Sequence, residues 1–238
     1  MILTHSGGVP RPTAGALRLI EAATTGPRSI DISGYVERMM VHCPYISPSV
    51  QRGLTTWTVY RADASTDASA DGGADAVEAE LFHAGARAAE WLRPLRHRPY
   101  GFLRCENIVI LGEAARRRDL LAWPHWVLKN LYGPVGIMFG KFSAGEEGNP
   151  CSGEHTPAAP VSFLPVRAAI RRRDPRFLQA TPDLAAALAV ADDDGRDVFE
   201  GIPSDWTEIR TWAKRFLPPP KPSASSGTMS ASPSRPGS

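Results

Sequence analysis

The sequence predicts an α+β fold, a single domain with a small mixed or antiparallel sheet of about four strands covered by helices. Three observations carry this expectation. Residues 54–60 (LTTWTVY) and 107–111 (NIVIL) are strand-length runs of β-branched, aromatic and aliphatic residues. Between them, Val77, Leu81, Ala84, Ala88, Trp91 and Leu92 share one stripe of a 3.6-residue period, the mark of an amphipathic helix over 77–92. Two further apolar runs, 135–142 (VGIMFGKF) and 161–170, flank a Gly/Pro-rich loop at 143–160.

The elements follow in chain order. Residues 1–28 read as a flexible N-terminal segment, and 29–217 as the α+β domain. An apolar helix carrying Tyr35, Val36, Met39 and Met40 leads into the turn His42-Cys43-Pro44-Tyr45. Residues 62–76 (ADASTDASADGGADA) are almost wholly Ala, Asp, Ser, Thr and Gly, and read as a disordered insertion after the first strand. Pro94 ends the helix over 77–92, and NIVIL is apolar throughout, as a central strand would be. Residues 113–132 read as helical with a break at Pro124. Pro165 marks 161–170 as an edge strand or a bulge. Helical pieces at 182–190 and 204–216 close the domain. Residues 218–238, with six prolines and seven serines, form a disordered tail.

Composition sets the outer limits. The chain of 238 residues is 42% hydrophobic and 22% charged, and its net charge of +2 favours no nucleic-acid partner. No run of about 18 apolar residues is present, so no membrane is expected. Three cysteines cannot build a disulfide framework, and the start has no apolar core behind basic residues; a cytoplasmic location is expected. A small-molecule substrate is the expected partner, and a homodimer is left open.

No histidine or cysteine falls in a zinc-ligand spacing, and nucleotide-binding and nucleophile-elbow signatures are missing. His42 and Cys43 lie at a helix end, read either as a soft ligand or thiolate held by the proline turn or as a small buried cysteine packing under a loop. His155 lies in the loop GEEGNPCSGEH, where an imidazole can ligate iron or act as a general base. His125, between Trp123 and Trp126, reads as core. The runs Arg96-His97-Arg98, Arg116-Arg117-Arg118 and Arg171-Arg172-Arg173 read as solvated ends of elements.

Several short motifs then fall in one order. They are Cys43-Pro44-Tyr45, Leu128-Lys129, the strand Gly136-Ile137-Met138-Phe139-Gly140-Lys141-Phe142, Gly153-Glu154-His155, Arg167, and Asp174 with Phe177-Leu178. Over roughly residues 40–178 this pattern resembles an uncharacterised domain family of actinobacterial and fungal proteins, often found near secondary-metabolism genes. That family is distantly similar to the YqcI/YcgG family, which includes haem-dependent oxygenases acting on nitrogen of arginine-like substrates. The resemblance implies a tailoring enzyme of secondary-metabolite biosynthesis, a haem-dependent mono-oxygenase and so an oxidoreductase, acting on nitrogen of a small amino-acid-like substrate. It implies His155 as the axial metal ligand, with Cys43 and His42 as alternatives, and Arg167 as partner of a propionate or a substrate carboxylate. Lys141 joins His155 and Arg167 as a catalytic candidate; it stands where the first family has an acidic residue, and Ser143 where it has a histidine. Two other readings stay open: a cofactor-free enzyme with His155 as general base beside Glu146, Glu147 or Glu154, and a non-catalytic binding protein on the same scaffold.

Overall fold

The computed structural model describes residues 16–24, 26–62, 70–112, 119–147 and 156–216. Five strands form one mixed sheet: β1 (Leu17–Ala23), β2 (Thr55–Ala62), β3 (Cys105–Leu111), β4 (Ile137–Phe139) and β5 (Ser162–Ala168), in the order β1-β2-β3-β5-β4. Only β2 and β3 run parallel, joined by the long helix α3 (Ala70–Leu95); the other pairs are antiparallel. A parallel pair needs such a crossover, and the helical stripe around Val77–Leu92 supplies it.

Alternation along the strands divides the core between two faces. Ile108, Ile110, Leu164, Val166, Ile137 and Phe139 pack on α3, on α4 (Ala122–Tyr132) and on α6 (Trp206–Ala213). Trp57, Val59, Val109 and Phe163 face the other way, onto Ile32, Tyr35 and Met39 at α1 (Ser33–His42) and onto Ile46 at the start of α2 (Ile46–Gln51). Helix α5 (Pro182–Ala189) sets Leu184 and Leu188 against Met138 and Leu178. The result is a sheet covered on both faces, with each fully buried Leu or Ile contributing about 1.5–3 kcal/mol. Asp205 starts α6 by accepting the N–H groups of Thr207 (2.9 Å) and Glu208 (3.2 Å), a cap that stabilises by about 1 kcal/mol.

Four expectations need correction. The segment 1–28 contains β1, an edge strand with a register shift between Leu19 and Glu21. It is held by the Glu80 carboxylate of α3, which accepts the N–H groups of Ala16 and Leu17 at 2.7 and 2.6 Å. The insertion over 62–76 is cut back at both ends, because Ala62 is the last residue of β2 and α3 begins at Ala70; residues 63–69 lie outside the described residues. Pro124 breaks nothing. It sits in the first turn of α4, where a missing N–H leaves no intrahelical bond unmade.

Pro165 lies in neither an edge strand nor a bulge, since β5 is flanked by β3 and β4 in continuous register. Its carbonyl accepts Gly140 N–H at 2.9 Å, so its hydrogen-bonding side, and with it the missing donor, faces β4. There the ladder lapses after Phe139 and resumes in a single bridge at Phe142 with Phe163. Residues 218–238 lie outside the described residues.

Candidate functional site

Small residues on two packed elements leave a hollow on the first sheet face, near the β1 edge. Ala22 of β1 pairs beside Thr58 of β2, and Thr56 stands in register with Glu106 of β3. Above them α3 presents Ala84 and Ala88, with Arg87 and Trp91 at helical spacing on the same side. The resulting cleft of about 690 Å³ is lined by these residues, by Tyr60 and Ile108, and by the loop after β1 through Gly26 and Arg28. That volume suits one small organic molecule. Trp91, on the expected core stripe, is instead 47% exposed and forms a wall of this cleft.

Glu106 gives the cleft its chemistry. The residue is 8% exposed, and burial pushes its carboxyl above the ordinary range against the opposing pull of two threonine hydroxyls. Thr56 Oγ1 donates to Oε2 and Thr58 Oγ1 to Oε1. Thr56 Oγ1 also reaches the Cys105 carbonyl at 3.2 Å. A hydroxyl has one proton, so Thr56 serves one acceptor at a time. With Glu106 ionised, both threonines donate to it. With Glu106 protonated, the carboxyl donates to Thr56, which turns its own proton to the Cys105 carbonyl. Both protonation states thus have partners in place.

The other acid in the cleft is committed to structure. The Glu21 carboxylate accepts the N–H groups of Arg28 (2.9 Å) and Ser29 (3.0 Å) and the Ser29 hydroxyl (2.8 Å), bonds that hold its pKa down and pin the loop after β1. Arg87 is exposed at the rim, its Nη2 at 3.4 Å from the Tyr60 hydroxyl.

Of the residues singled out from the sequence, those that the structure describes lie elsewhere. His155 and Cys151 are outside the described residues, as are Glu154 and Arg116 to Arg118. His42 ends α1 and Cys43 follows in extended backbone, both half-buried on the second sheet face. Cys43 is near enough to Cys105 and Arg167 to act on the charge of both. Cys105 itself is a protonated thiol, pushed up to about 12 by burial.

Arg167 is already engaged. Its guanidinium grips Asp174 through two bonds of 2.8 Å, and the fully buried Asp174 also accepts Ile170 N–H at 2.6 Å. Burial works against that guanidinium's charge, and Asp174 more than offsets it. Lys141 is exposed and lies electrostatically near Lys129 and His125, toward α4 and the first face. The structure therefore joins Cys43 with Arg167 and separates both from Lys141, and none of the three lines the cleft. Of the set proposed for haem, the bidentate arginine is engaged by Asp174 and the other described members are split between the faces, while His155, the expected axial ligand, lies outside the described residues. Among the described residues, no group of three His, Cys, Asp or Glu side chains is placed to hold a metal ion.

His125, expected in the core, is half-buried. Its Nε2 lies 3.3 Å from the Phe139 carbonyl, and burial keeps the imidazole neutral, with its pKa down at about 3. Trp126 donates to the Ala213 carbonyl at 3.3 Å. Of the arginine runs, Arg171 and Arg172 are exposed, whereas Arg96 turns inward to donate to the Val135 carbonyl.

The sequence reading passed over Glu106, Thr56, Thr58, Tyr60 and Arg87. A signal was present: the alternation of TTWTVY puts Thr56, Thr58 and Tyr60 on one face, and a lone glutamate stands just ahead of NIVIL. A comparison with protein-family models, with curated proteins and with solved structures finds no match to the chain. The resemblance over residues 40–178 therefore stands on its motifs alone. Among the described residues, no helix is long and apolar enough to cross a membrane.

Proposed function

We propose that this chain is an enzyme acting on a small organic molecule in the cleft between β1, β2, β3 and α3, with Glu106 as the residue that gives and takes the proton. The reading keeps the cofactor-free alternative drawn from the sequence and moves the acid/base role from His155 to Glu106. One observation carries it: a carboxyl raised by burial lines a cleft of small-molecule size, with hydrogen-bond partners ready for both of its protonation states. A general acid/base works best when its pKa approaches the working pH and when proton transfer needs little rearrangement around it. Thr56 supplies that economy by rotating one hydroxyl. Trp91 and Tyr60 offer flat walls to orient a substrate, and Ala84 and Ala88 leave room for it.

Two measurements test this. Carbon-13 carboxyl NMR, assigned with Glu106→Gln, is expected to place the Glu106 midpoint above 4.5; a midpoint at or below 4.5 overturns the proton role. Incubation with a mixture of small metabolites, followed by mass spectrometry, is expected to show a compound consumed by the wild-type protein and spared at least about 100-fold by Glu106→Gln. Consumption that ignores Glu106→Gln, or a compound retained without being changed, overturns the enzymatic reading.

A further inference from the structure

The charges around the cleft are unevenly placed, and their placement specifies a ligand. Four charged residues line it: Glu21, Arg28, Arg87 and Glu106. Glu21 stays ionised, bonded to the loop after β1 as described and attracted by the charge of Arg28, so these two charges are matched to each other. Glu106 lies low, between the threonines on the sheet. That leaves the Arg87 guanidinium as the unmatched cation of the lining. Arg87 forms no ion pair among the described residues, and its one polar contact there is the Tyr60 hydroxyl at 3.4 Å. One helical turn further along α3, the indole of Trp91 is half exposed along the same wall. The cleft thus offers a cationic rim, a flat aromatic side and a single carboxyl at its base.

We propose that the cleft binds a small planar organic acid, its carboxylate held at the rim by Arg87, its ring lying along Trp91, and a ring nitrogen meeting Glu106. Each part of this ligand answers one part of the wall. Arginine presents paired N–H donors that match a carboxylate, and it is the side chain suited to planar bidentate recognition. An aromatic ring on the indole gains area burial and offset stacking. At the base, one proton is shared between a carboxyl and a nitrogen. If the nitrogen is protonated, the ionised Glu106 accepts from it; if the nitrogen is free, the protonated Glu106 donates to it. A ligand lacking that nitrogen covers the cleft side of the carboxyl without bonding it, which leaves Glu106 with its threonine partners and forfeits one hydrogen bond to a charged or acidic group.

This inference rests on the reading of the cleft as the functional site, and the test separates the two. The probes are nicotinate, nicotinamide, which lacks the negative charge, and benzoate, which lacks the ring nitrogen. Binding is read by titration calorimetry and by quenching of tryptophan fluorescence, with Trp91→Phe to identify the quenched indole. Nicotinate is expected to bind at least about tenfold more tightly than either analogue. Arg87→Gln, an exposed position, should erase the preference over nicotinamide and keep that over benzoate. Glu106→Gln, which preserves shape, should do the reverse. If the three probes bind alike, or the uncharged amide binds best, while Trp91→Phe still removes the quenching, the ligand class is wrong and the cleft remains the site. If none of the probes binds, and the compound consumed by the wild-type protein is not an acid, the class again fails alone. If consumption of that compound is indifferent to both Arg87→Gln and Glu106→Gln, the site reading and this inference fall together.

Discussion

Truncating Arg167 to alanine is expected to destabilise the fold and leave the cleft untouched. The magnitude follows from its partner. Asp174 is fully buried and its carboxylate has three partners, two from the guanidinium at 2.8 Å and one from Ile170 N–H at 2.6 Å. Arg167→Ala removes the two charged ones and strands a carboxylate in the interior, a change that costs about 3–5 kcal/mol. For a chain of this size that lowers Tm by about 6–20 °C. Removing both charges together is different in kind. The pair Arg167→Met with Asp174→Leu leaves no stranded ion, and should recover at least half of the loss. Urea titrations and thermal melts followed by circular dichroism, run on the wild type, both single variants and the double variant, give the coupling energy directly. Nicotinate affinity should stay within twofold throughout, because Arg167 does not line the cleft. An Arg167→Ala protein within about 1 kcal/mol of wild type would refute the reasoning. It would mean that the pair is effectively solvated and that Arg167 is free to receive a ligand.

Two further outcomes test other parts of the structure. At Gly101, a Cβ would fall on the backbone carbonyl oxygens of Leu95 and Arg96, which no rotamer change relieves, so Gly101→Ala should cost about 3 kcal/mol; a urea midpoint equal to wild type would show that this turn is loose. Acid should weaken the fold through its neutral imidazoles: burial holds His83 at about 4 and His125 at about 3, so the folded state binds fewer protons than the unfolded chain below pH 6.5. Stability therefore falls as pH drops from 6.5 toward 4, by about 3 kcal/mol for His83, which is 5% exposed, and by less for the half-buried His125. Glu78 and Glu106, raised by burial, act with the opposite sign and temper the loss. His83→Gln should flatten the slope of unfolding free energy over that range, and an unchanged slope would sink the argument.

Much of the fold was legible because its signals are local. The alternation in TTWTVY, the apolar NIVIL and the stripe from Val77 to Leu92 each require one structure and received it. What escaped depends on partners distant in the chain. Strand β1 (LRLIEAA) leaves Leu19 56% exposed and owes its place to the Glu80 carboxylate, 63 and 64 positions away from the two amides it receives. Pro165 was judged by the donor it lacks, but the side on which that donor is missing depends on which strands flank it. The site escaped for the same reason. Glu106 acquires its character from Thr56 and Thr58, about fifty residues earlier, and from the burial that α3 provides. Arg167 looked available until the buried Asp174 was placed against it.

The strand order also constrains how the chain is assembled. β5 lies between β3 and β4 yet is made after both, so the sheet cannot be closed strand by strand as it leaves the ribosome. β3 can pair with β2 once Leu111 has emerged, but its other edge carries Ile108, Val109 and Ile110 with open backbone groups until the chain reaches Ala168. At about 5–20 residues per second that interval lasts several seconds. Through it the nascent protein exposes a sticky apolar strand edge of the kind that templates aggregation. The topology thus predicts that the yield of folded protein rises when synthesis is slowed or chaperones are supplied.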